Sequence, residues 1–569
     1  MKLTSACSLD CYDACEISLQ DNKIVPLKQR HTLGFLCPHL NRYRDYETIT
    51  SASYRGVDIS LDEALAILKT MLKNTQKEKT LHYKGNGNFG LMQDVTEHFF
   101  ASYGATLTDG TLCDGAGEAG ILRGRGSNKN MPLLEISKSD VVVIWGRNPH
   151  TTSSHLLPLL RGKKIIVIDP RRTKIAKEAD LHIQLKPHSD LQLAMLLFRY
   201  MSTGSTDEKY EDYLDVTKNL QYEDTLSEID ISDNIFQKCI KLLHEKRIAI
   251  VCGLGIQKYK DGADVMRAID ALGVCLDLFS REGCGIAYLG NSKENIRTPF
   301  NLQAKRVSKV NTKFSNFSTV IIQGANPLSQ MPNSLFVHEE IKNVKNLVYF
   351  GLYKNETSEV ADLIIPAKNF LAKNDIRTSY SHHAMVRMHR LENSSFGISE
   401  YDLSAYLCKE FGVGIERESY YLEYFQQFSK KQDDGAYYVT GRENIPYKNG
   451  FDTEDKNFIF LDKYNESKNN ENTFFLITPK SPKSLNSQFK RENNVYINDS
   501  HGFLDGEDIC IRSSIGSVTL QVKITSYLRD DCVLIYSGTP GVNNLTTSQH
   551  SYEGRCAIYQ EEKITLHKS

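Results

Sequence analysis

The sequence predicts a multidomain α/β protein with doubly wound, mostly parallel sheets, a small cysteine-bearing N-terminal subdomain and a barrel-like C-terminal domain. Apolar runs at residues 141–145, 165–168, 248–252 and 319–322 alternate with helical segments and end in glycine, glutamine or aspartate. Such runs form parallel strands covered on both faces, whose ligands bind at the carboxyl ends of the strands. Residues 471–569 contain short strands with little helix, which indicates a barrel-like domain.

The N-terminal cysteines have the spacing of metal ligands. Cys7, Cys11 and Cys15 follow at steps of four residues, and Cys37 returns after a predicted hairpin in residues 16–33. Thiolates are soft ligands that suit zinc or an iron–sulfur cluster. Three ligands in one tight loop favour a [4Fe–4S] cubane, because zinc more often takes two separated Cys-x-x-Cys pairs. A zinc site and unconnected free cysteines remain the alternatives.

Composition excludes several classes of protein. The chain has 569 residues, a formal net charge of −1 and 13 cysteines. A neutral balance does not indicate nucleic acid or an anionic membrane as partner, and the cysteine content is not that of a small disulfide-stabilised secreted protein. No run approaches the ~20 apolar residues of a membrane span. The cysteine motif begins six residues after Met1 and leaves no room for a signal peptide, so we expect a cytoplasmic protein.

The first α/β region opens with a capped helix. Ser60 and Glu63 have the spacing of a capping box, and apolar residues recur after them at helical spacing. The strand at 81–84 then runs into a glycine-rich loop at 85–90. Glycines at a strand-to-helix turn allow the backbone to approach a ligand closely, although this pattern alone is weak.

Cys113 differs from the other scattered cysteines in its surroundings. It lies in residues 110–120, where four glycines accompany it. Small residues would allow a bulky cofactor to approach the sulfur. A metal ligand, a nucleophile and a structural cysteine at a tight turn are all compatible with this pattern.

Polar residues and glycines follow the buried strands at the ends where ligands bind. Arginines there suit a diphosphate, and aspartates suit guanine nitrogens or ribose hydroxyls, with solvated surface charge as the alternative. The sequence Trp-Gly-Arg-Asn-Pro returns as Gln-Gly-Ala-Asn-Pro, which predicts two related loops for two similar nucleotide moieties. The strand-end residues are Trp145, Gly146, Asn148, Asp169, Arg171, Arg172, Asp190, Gln323, Gly324 and Asn326.

We expect five regions along the chain. Hydrophilic residues toward the end of residues 415–470 indicate a surface connection before the last domain. The expected divisions are a cluster domain at 1–50, one α/β domain at 51–112 and 314–414, a second at 113–313, the connection at 415–470, and a barrel-like domain at 471–569.

With these motifs in this order, the chain resembles the molybdopterin oxidoreductases of the dimethyl sulfoxide reductase superfamily, of the formate dehydrogenase type. The resemblance covers nearly the whole chain, and the colinear order of its motifs carries it. The motifs are the Cys-x3-Cys-x3-Cys head with Leu-Cys-Pro, Cys-Asp-Gly-Ala-Gly, Trp-Gly-Arg-Asn-Pro, Ile-Asp-Pro-Arg-Arg-Thr, Gln-Gly-Ala-Asn-Pro, Ala-Asp-Leu-Ile-Ile-Pro-Ala, and Thr-Pro-Lys-Ser with Leu-Asn-Ser.

The resemblance implies molybdenum or tungsten held by two molybdopterin guanine dinucleotides (bis-MGD), with Cys113 as the protein ligand. It implies oxygen-atom or hydride transfer with a small-molecule substrate. It also implies that a [4Fe–4S] cluster on the N-terminal cysteines passes electrons to a redox partner protein. Besides the strand-end residues, those implied to contact the cofactor are Thr478, Ser481, Asn486 and Asn543.

Three positions depart from the pattern of relatives or extend it. His39 stands where relatives often carry a lysine between cluster and pterin, so the electron route through it is an open question. Asp114 follows Cys113 where formate dehydrogenases of the superfamily have histidine, which weakens a formate assignment. His155 occupies a loop position that is close to the metal in relatives and is a candidate for proton transfer.

Two other functions fit the same motifs. A hydratase would keep both cofactors but reduce no acceptor. A degenerate subunit of a respiratory complex would keep the fold for electron wiring or structure alone. Retention of Cys113 in its glycine-rich setting argues against the degenerate subunit. Formate, sulfur oxyanions, S- or N-oxides and other small molecules all fit as substrates.

Overall fold

The structure is a computed structural model that describes residues 3–27, 32–85, 90–244, 247–464 and 473–568. It contains two compact units. Unit 1 comprises Met1–Asp109, Ser292–Arg442 and Lys483–Arg491, and unit 2 comprises Gly110–Asn291, Glu443–Pro482 and Glu492–Ser569. Gly87 of the predicted glycine-rich loop and residues 465–472 of the predicted connection lie outside the described residues.

The described part of unit 1 is built on an eight-stranded sheet. Its first six strands are parallel and its last two are antiparallel. Numbered along the chain, the six parallel strands have the order 3-2-1-4-5-6 of a doubly wound fold. From edge to edge the strands are Arg306–Ser308, Thr106–Asp109, Thr80–Lys84, Thr319–Gln323, Asn346–Gly351, Leu363–Pro366, Ala52–Tyr54 and Val57–Ile59.

The Leu61–Lys73, Asp94–Tyr103 and Glu400–Phe411 helices share one apolar core with this sheet, because each of the three has an apolar face. The Leu61–Lys73 helix buries Leu65, Leu68 and Leu72. Its predicted capping box is confirmed, since Ser60 Oγ accepts the Glu63 N–H at 3.2 Å and Glu63 Oε2 accepts the Ser60 N–H at 2.8 Å. The other helices of unit 1 are Asp94–Tyr103, Ser334–Lys342, Glu400–Phe411, Glu418–Gln426, and the short Pro38–Asn41, Pro327–Gln330 and Glu356–Glu359. Its 3-10 helices are Tyr43–Asp45, Lys77–Lys79, Leu91–Gln93 and Phe314–Asn316.

Small sheets complete unit 1. The N-terminal strands Ser5–Ala6, Glu16–Gln20 and Lys23–Pro26 form an antiparallel sheet, which confirms the predicted hairpin before Cys37. The Asp375–Thr378 strand pairs with Met385–Met388. The remaining hairpins join Ser429–Lys431 to Tyr437–Val439, and Ser484–Leu485 to Gln488–Phe489.

Unit 2 carries a five-stranded parallel sheet among its described residues. Its order along the chain is 3-2-1-4-5, so it is also doubly wound. From edge to edge the strands are Leu181–Ile183, Lys164–Ile168, Val141–Trp145, Ile248–Cys252 and Gly285–Ala287. The helices are Gly115–Arg125, Pro149–Thr152, Lys174–Glu178, Asp190–Met201, Glu208–Thr217, Tyr222–Glu228, Asp233–Leu243 and Gly262–Cys275. The 3-10 helices are Leu133–Lys138, Ser154–Leu160, Leu254–Gln257, Asp499–His501 and Val542–Leu545.

The C-terminal part of unit 2 is a closed barrel, as the sequence predicts. Alternating apolar residues of its strands fill the interior, as in the Asp508–Arg512 strand, where Ile509 and Ile511 are fully buried. In barrel order the strands are Phe474–Ile477, Cys532–Leu534, Asn494–Asn498, Ser517–Thr525, Asp508–Arg512 and Lys563–Lys568.

Of the helical segments predicted between the apolar runs, the crossover helix expected at 156–160, between the runs at 141–145 and 165–168, has a different form. The segment at 156–160 belongs to the 3-10 helix Ser154–Leu160, which contains Pro158. Proline lacks the N–H that an α-helix interior requires, so the prediction of an ordinary crossover helix here is wrong. Across the described ranges, no helix has the length and apolar content needed to cross a membrane.

Candidate functional site

The four N-terminal cysteines lie on one loop of unit 1 and at the start of one short helix. Cys7 follows the Ser5–Ala6 strand, and its N–H donates to the carbonyl oxygen of Cys15 at 2.8 Å. Cys37 is the N-cap of the Pro38–Asn41 helix. All four are thiols rather than halves of a disulfide, and Cys7 and Cys15 are buried. The loop therefore brings the first and third cysteines of the motif side by side.

The chemistry of these thiols fits a soft metal centre. Burial, and next the neighbouring Cys37, raise the pKa of Cys7 to about 12. Burial and then the charge of Asp13 raise the pKa values of Cys11 and Cys15 well above the usual value. Four thiolates in this space would repel one another, and iron or zinc bound to them would remove that cost. The donor set is therefore compatible with a four-cysteine cluster.

Two further predicted residues lie beside this loop within unit 1. The His39 ring stacks on Phe489, with ring centroids 6.1 Å apart. Asn486, at a left-handed φ of 52°, donates from Nδ2 to Asp10 Oδ2 at 2.8 Å. Residues Lys483–Arg491 therefore pack against the cysteine loop.

In unit 2, Cys113 lies on a turn whose backbone is held by side chains from elsewhere. The turn leads directly into the Gly115–Arg125 helix. Three donors occupy three consecutive carbonyl groups: Lys258 Nζ bonds Leu112 O at 2.7 Å, Gln257 Nε2 bonds Cys113 O at 2.6 Å, and Tyr288 Oη bonds Asp114 O at 3.1 Å.

Gln257 ties this turn to the helix that follows. Its side chain is fully buried, and its Oε1 also accepts the N–H of Gly117 at 3.0 Å. The Cys113 thiol donates to Asp114 Oδ1 at 2.8 Å. Burial, followed by the charge of Asp114, raises the pKa of Cys113 well above its usual value. The sulfur is therefore fixed in place as a protonated thiol with a carboxylate beside its proton.

The glycines after Cys113 have a role that the sequence did not indicate. A Cβ on Gly115 would lie 2.6 Å from Gly554 O, and one on Gly120 would lie 2.1 Å from Ala263 O. A Cβ on Gly117 would lie 2.6 Å from a side-chain oxygen. These glycines allow the helix to pack closely against the rest of unit 2.

In the sheet of unit 2, the strand order reverses at a switch point, and the two strands beside that point both end in glycine. The switch point lies between Val141–Trp145 and Ile248–Cys252, and the Gly253 N–H donates to Trp145 O at 2.7 Å. A Cβ on Gly253 would lie 1.8 Å from Gly146 O. Both strands therefore end in glycine at the crevice where doubly wound sheets bind nucleotides.

Unit 1 repeats this arrangement at its own switch point. The Gly85 N–H donates to Gln323 O at 2.8 Å, and a Cβ on Gly85 would lie 2.4 Å from Gly324 O. The repeated motif lies on the first parallel strand of unit 2 but on the fourth of unit 1. In both units the strand that carries the motif has two neighbours in the sheet. One neighbour is a strand that ends in glycine, and the other is the parallel strand that comes next along the chain.

Trp145 and Asp190 form a buried pair at the switch point of unit 2. Trp145 Nε1 donates to Asp190 Oδ1 at 2.6 Å. Burial raises the pKa of Asp190 to about 7, against the lowering effect of this hydrogen bond. The carboxyl group therefore titrates near neutral pH.

Asp169 and Arg171, which were predicted to bind guanine and a diphosphate, are hydrogen-bonded to each other. Asp169 Oδ1 accepts the Arg171 N–H at 2.9 Å and Arg171 Nε at 3.1 Å, and both residues are buried. Arg172 is exposed, and its N–H donates to Tyr527 O at 2.6 Å. Of the two arginines, Arg172 presents the more accessible charge.

Asn148 provides a test of fit for a polar ligand. Its Nδ2 donates to Thr151 Oγ1 at 3.1 Å. Its Oδ1 is buried and has no hydrogen-bond partner within the described ranges. Leaving such an acceptor unsatisfied is costly, so a donor such as a nucleobase N–H would be stabilised there.

The corresponding amides of unit 1 are already engaged. Asn326 Nδ2 donates to Glu356 Oε2 at 2.8 Å, and its Oδ1 accepts Thr357 Oγ1 at 2.9 Å. Gln323 Oε1 lies 2.8 Å from His82 Nε2. Burial lowers the pKa of His82 to about 4, so this histidine is neutral and donates to the glutamine. These side chains hold the loop itself.

The predicted C-terminal residues lie near two buried hydroxyls of unit 2. Ser481 and Asn543 are buried, and Thr478 directly follows the first barrel strand. The Ser537 N–H donates to the carbonyl oxygen of the residue after Thr478 at 2.9 Å. Among the described residues, Ser537 Oγ and Thr539 Oγ1 are buried without a hydrogen-bond partner. This region also suits a polar ligand.

Two more buried residues of unit 2 bear on the candidate site, one of them predicted from the sequence and one not. His155 is buried in the Ser154–Leu160 helix, in the same unit as Cys113. Gln257, which supports Cys113, was not identified, because it lies 144 residues further along the chain. The only local signal was its position just after a glycine-ended strand.

Comparisons with known proteins show which family and fold this chain resembles. The family model for molybdopterin oxidoreductase matches residues 55–397. A probable oxidoreductase of Bacillus subtilis, YyaE, is 26% identical over 463 residues, which are 72% of this chain and 69% of that protein. The alpha subunit of a formate dehydrogenase from Methanocaldococcus jannaschii is 20% identical over 55% of this chain, and the match spans about half of that subunit, 52%. Acetylene hydratase from Pelobacter acetylenicus shares the fold over 100% of both chains, with a TM-score of 0.72 and 14% identity.

Proposed function

The chain belongs to the molybdopterin oxidoreductase family, and from this premise we propose that it transfers an oxygen atom or a hydride to or from a small molecule at a Cys113-ligated molybdenum or tungsten. The cofactor we propose is the bis-MGD form, accompanied by one [4Fe–4S] cluster. The observation that carries the proposal is the Cys113 turn, because Gln257 and two companion donors hold its backbone and so position the sulfur beside Asp114.

The bound metal supplies the two-electron redox chemistry. The chain supplies the position of the ligand and the handling of its proton. Cys113 must lose its proton to bind a metal, and Asp114 Oδ1, 2.8 Å away, is placed to accept it. Gln257 and its two companion donors keep the turn from moving as this bond is exchanged.

Recognition of the dinucleotides is assigned to the two switch points. In unit 2, Asn148 offers its unpartnered Oδ1 to a donor, and Asp190 in its neutral form adds a second hydrogen-bonding group. Arg172, which is exposed, suits a phosphate better than the paired Arg171. In unit 1, no atom of the described residues lies within 4 Å of a Cβ placed on Gly324, and a ligand approaching the backbone there would suit this glycine.

Electron transfer is assigned to the N-terminal cysteines. We infer that Cys7, Cys11, Cys15 and Cys37 hold the cluster, which exchanges electrons singly with a partner protein. The formate dehydrogenase relative is itself an alpha subunit, which supports a partner subunit for this chain. The substrate stays unassigned among formate, sulfur oxyanions, S- or N-oxides and other small molecules.

Metal analysis of protein purified without oxygen tests this proposal. About four iron atoms and one molybdenum or tungsten per chain are expected from the proposed ligands. Cys113→Ala should abolish turnover and leave the cluster spectrum unchanged. Cys239→Ala, a buried cysteine of the Asp233–Leu243 helix, is the matched control and should keep activity.

Other outcomes separate the competing functions. If the protein contains iron but no molybdenum, tungsten or extractable guanine nucleotide, it is an electron-transfer subunit rather than an enzyme. Full cofactor content with turnover that reduces no acceptor would identify a hydratase. Loss of the cluster together with activity in Cys113→Ala would mean that this cysteine serves the fold.

A further inference from the structure

Arg377 is a buried cation beside the cysteine loop of unit 1. It lies in the Asp375–Thr378 strand, which pairs with Met385–Met388. Only 1% of its surface is exposed. A buried guanidinium is rare enough that its partners call for explanation.

Its guanidinium donates to the backbone of two proposed cluster ligands. Arg377 Nε bonds Cys7 O at 3.3 Å, and Nη2 bonds Cys11 O at 3.1 Å. One side chain therefore spans the first step of the cysteine motif. Because a guanidinium is planar and rigid, these two bonds fix the position of its charge.

The residues that follow Arg377 hold the rest of the same loop. Ser379 Oγ donates to Tyr12 O at 2.5 Å. His382 Nε2 bonds Asp13 O. The segment at 377–382 thus binds carbonyl groups along the cysteine loop, and the charge cannot move away from the loop independently.

Arg377 stays cationic in this setting. Burial lowers its pKa below the ordinary value, while Tyr380, Cys7 and Cys11 raise it. An arginine begins so far above neutrality that it keeps its proton in proteins.

Two other arginines lie close to these cysteines along the chain. Arg42 and Arg44 follow Cys37 closely, but both are exposed. Arg44 also pairs with Glu392 at 2.8 Å, with 40% of its side chain exposed. Water and salt screen exposed charges strongly, so neither matches a fixed buried cation.

We propose that Arg377 sets the reduction potential of the N-terminal cluster by stabilising its reduced form. The inference rests on the proposed function, because it requires the four-cysteine cluster. Reduction adds one electron to a cluster that already carries the charge of four thiolates, and no bond forms or breaks. A buried positive charge nearby favours the more negative state and raises the potential, since net charge and solvent exposure are determinants of cluster potentials.

The test is a redox titration of the cluster, followed by electron paramagnetic resonance, with dithionite as the electron donor. Arg377→Gln removes the charge and keeps a donor, whereas Arg377→Lys keeps the charge. Arg387→Gln is the matched control: Arg387 pairs with Ile376, so it projects from the opposite face of the hairpin.

Arg377→Gln should lower the ratio of reduced to oxidised cluster at least tenfold at a fixed potential, a shift of about 59 mV to more negative values for one electron. Arg377→Lys and Arg387→Gln should shift the reduction potential of the cluster much less. Equal shifts in the Gln and Lys variants of Arg377, or no shift in Arg377→Gln with its cluster intact, would overturn the inference.

Loss of iron is also informative. If Arg377→Gln loses its iron while Arg377→Lys keeps a cluster at the wild-type potential, the charge itself is required and the inference stands. If both variants lose iron, the arginine serves the fold and the inference is rejected. A wild-type protein without iron would instead refute the proposed function.

Discussion

The ionisation of Asp190 should make the unfolding free energy of the protein depend on pH. The pKa of Asp190 is raised from 3.8 to about 7 by burial, and its carboxyl group accepts a hydrogen bond from Trp145. A rise of this size corresponds to about 4 kcal/mol against the ionised form in the folded state. The folded protein therefore binds more protons than the unfolded chain between these pKa values, and stability falls as the pH rises through that window.

The change to test is Asp190→Asn, which keeps an acceptor for Trp145 and removes the ionisation. The unfolding free energy of the variant minus that of the wild type should rise by about 2–3 kcal/mol as the pH goes from about 5 to about 8. Urea unfolding of protein made without cofactor measures this gain. Trp145 is the only tryptophan of the chain, so its fluorescence in the wild type should titrate near pH 7, and the variant should not titrate there.

A surface acid of the same sheet gives a control of opposite sign. Asp140 bonds Arg247 with Nη2–Oδ1 at 2.7 Å, and this hydrogen bond lowers its pKa. Asp140→Asn should therefore lose a little stability above about pH 4, the usual carboxyl range. An unchanged stability difference for Asp190→Asn from pH 5 to pH 8, or a Trp145 signal without a transition near neutrality, would refute the reasoning about burial.

Three further substitutions test the scaffold of the site. Ser60→Ala removes the helix cap and should cost about 1 kcal/mol in urea unfolding. Gly253→Ala places a Cβ 1.8 Å from Gly146 O, so it should cost about 1–3 kcal/mol and shift tryptophan emission. Arg125→Met leaves the buried Asp270 without its guanidinium partner, bonded at 2.8 Å, and should cost about 3–5 kcal/mol.

Each of these has a contradicting outcome. A Ser60→Ala protein as stable as the wild type would mean that the cap contributes nothing to the Leu61–Lys73 helix. Unchanged emission in Gly253→Ala would mean that the switch point tolerates a side chain. For Arg125→Met, adding Asp270→Leu should recover much of the loss, and no recovery would assign the cost to packing alone.

Part of the fold could be predicted from the sequence because it depends on interactions between residues close together along the chain. The Ser60–Glu63 capping box, the apolar runs of the parallel strands and the alternating strands of the barrel all depend on neighbours within a few residues. The four-cysteine motif is local for the same reason, since three of its members share one loop. The division into five regions stays a prediction.

The pairing of residues at the site was decided by the tertiary structure. Asp169 and Arg171 satisfy each other, and Asn326 is engaged by Glu356, although each looked like a ligand residue in the sequence. Only Asn148 keeps an unpartnered acceptor among the strand-end amides of the described residues. A sequence gives the type of a side chain, but its hydrogen-bond partner depends on what the fold places within 3 Å or so of it.

The sequence by itself determined that this protein carries three thiols on one loop with a fourth after a hairpin, one thiol before a glycine-rich helix, and glycine-ended parallel strands. Only the tertiary structure decided that Arg377, 370 residues from Cys7, supplies the buried charge at that loop, and that Gln257 holds the Cys113 turn. The physical reason is that topology brings distant segments together, whereas sequence patterns report interactions among neighbours along the chain.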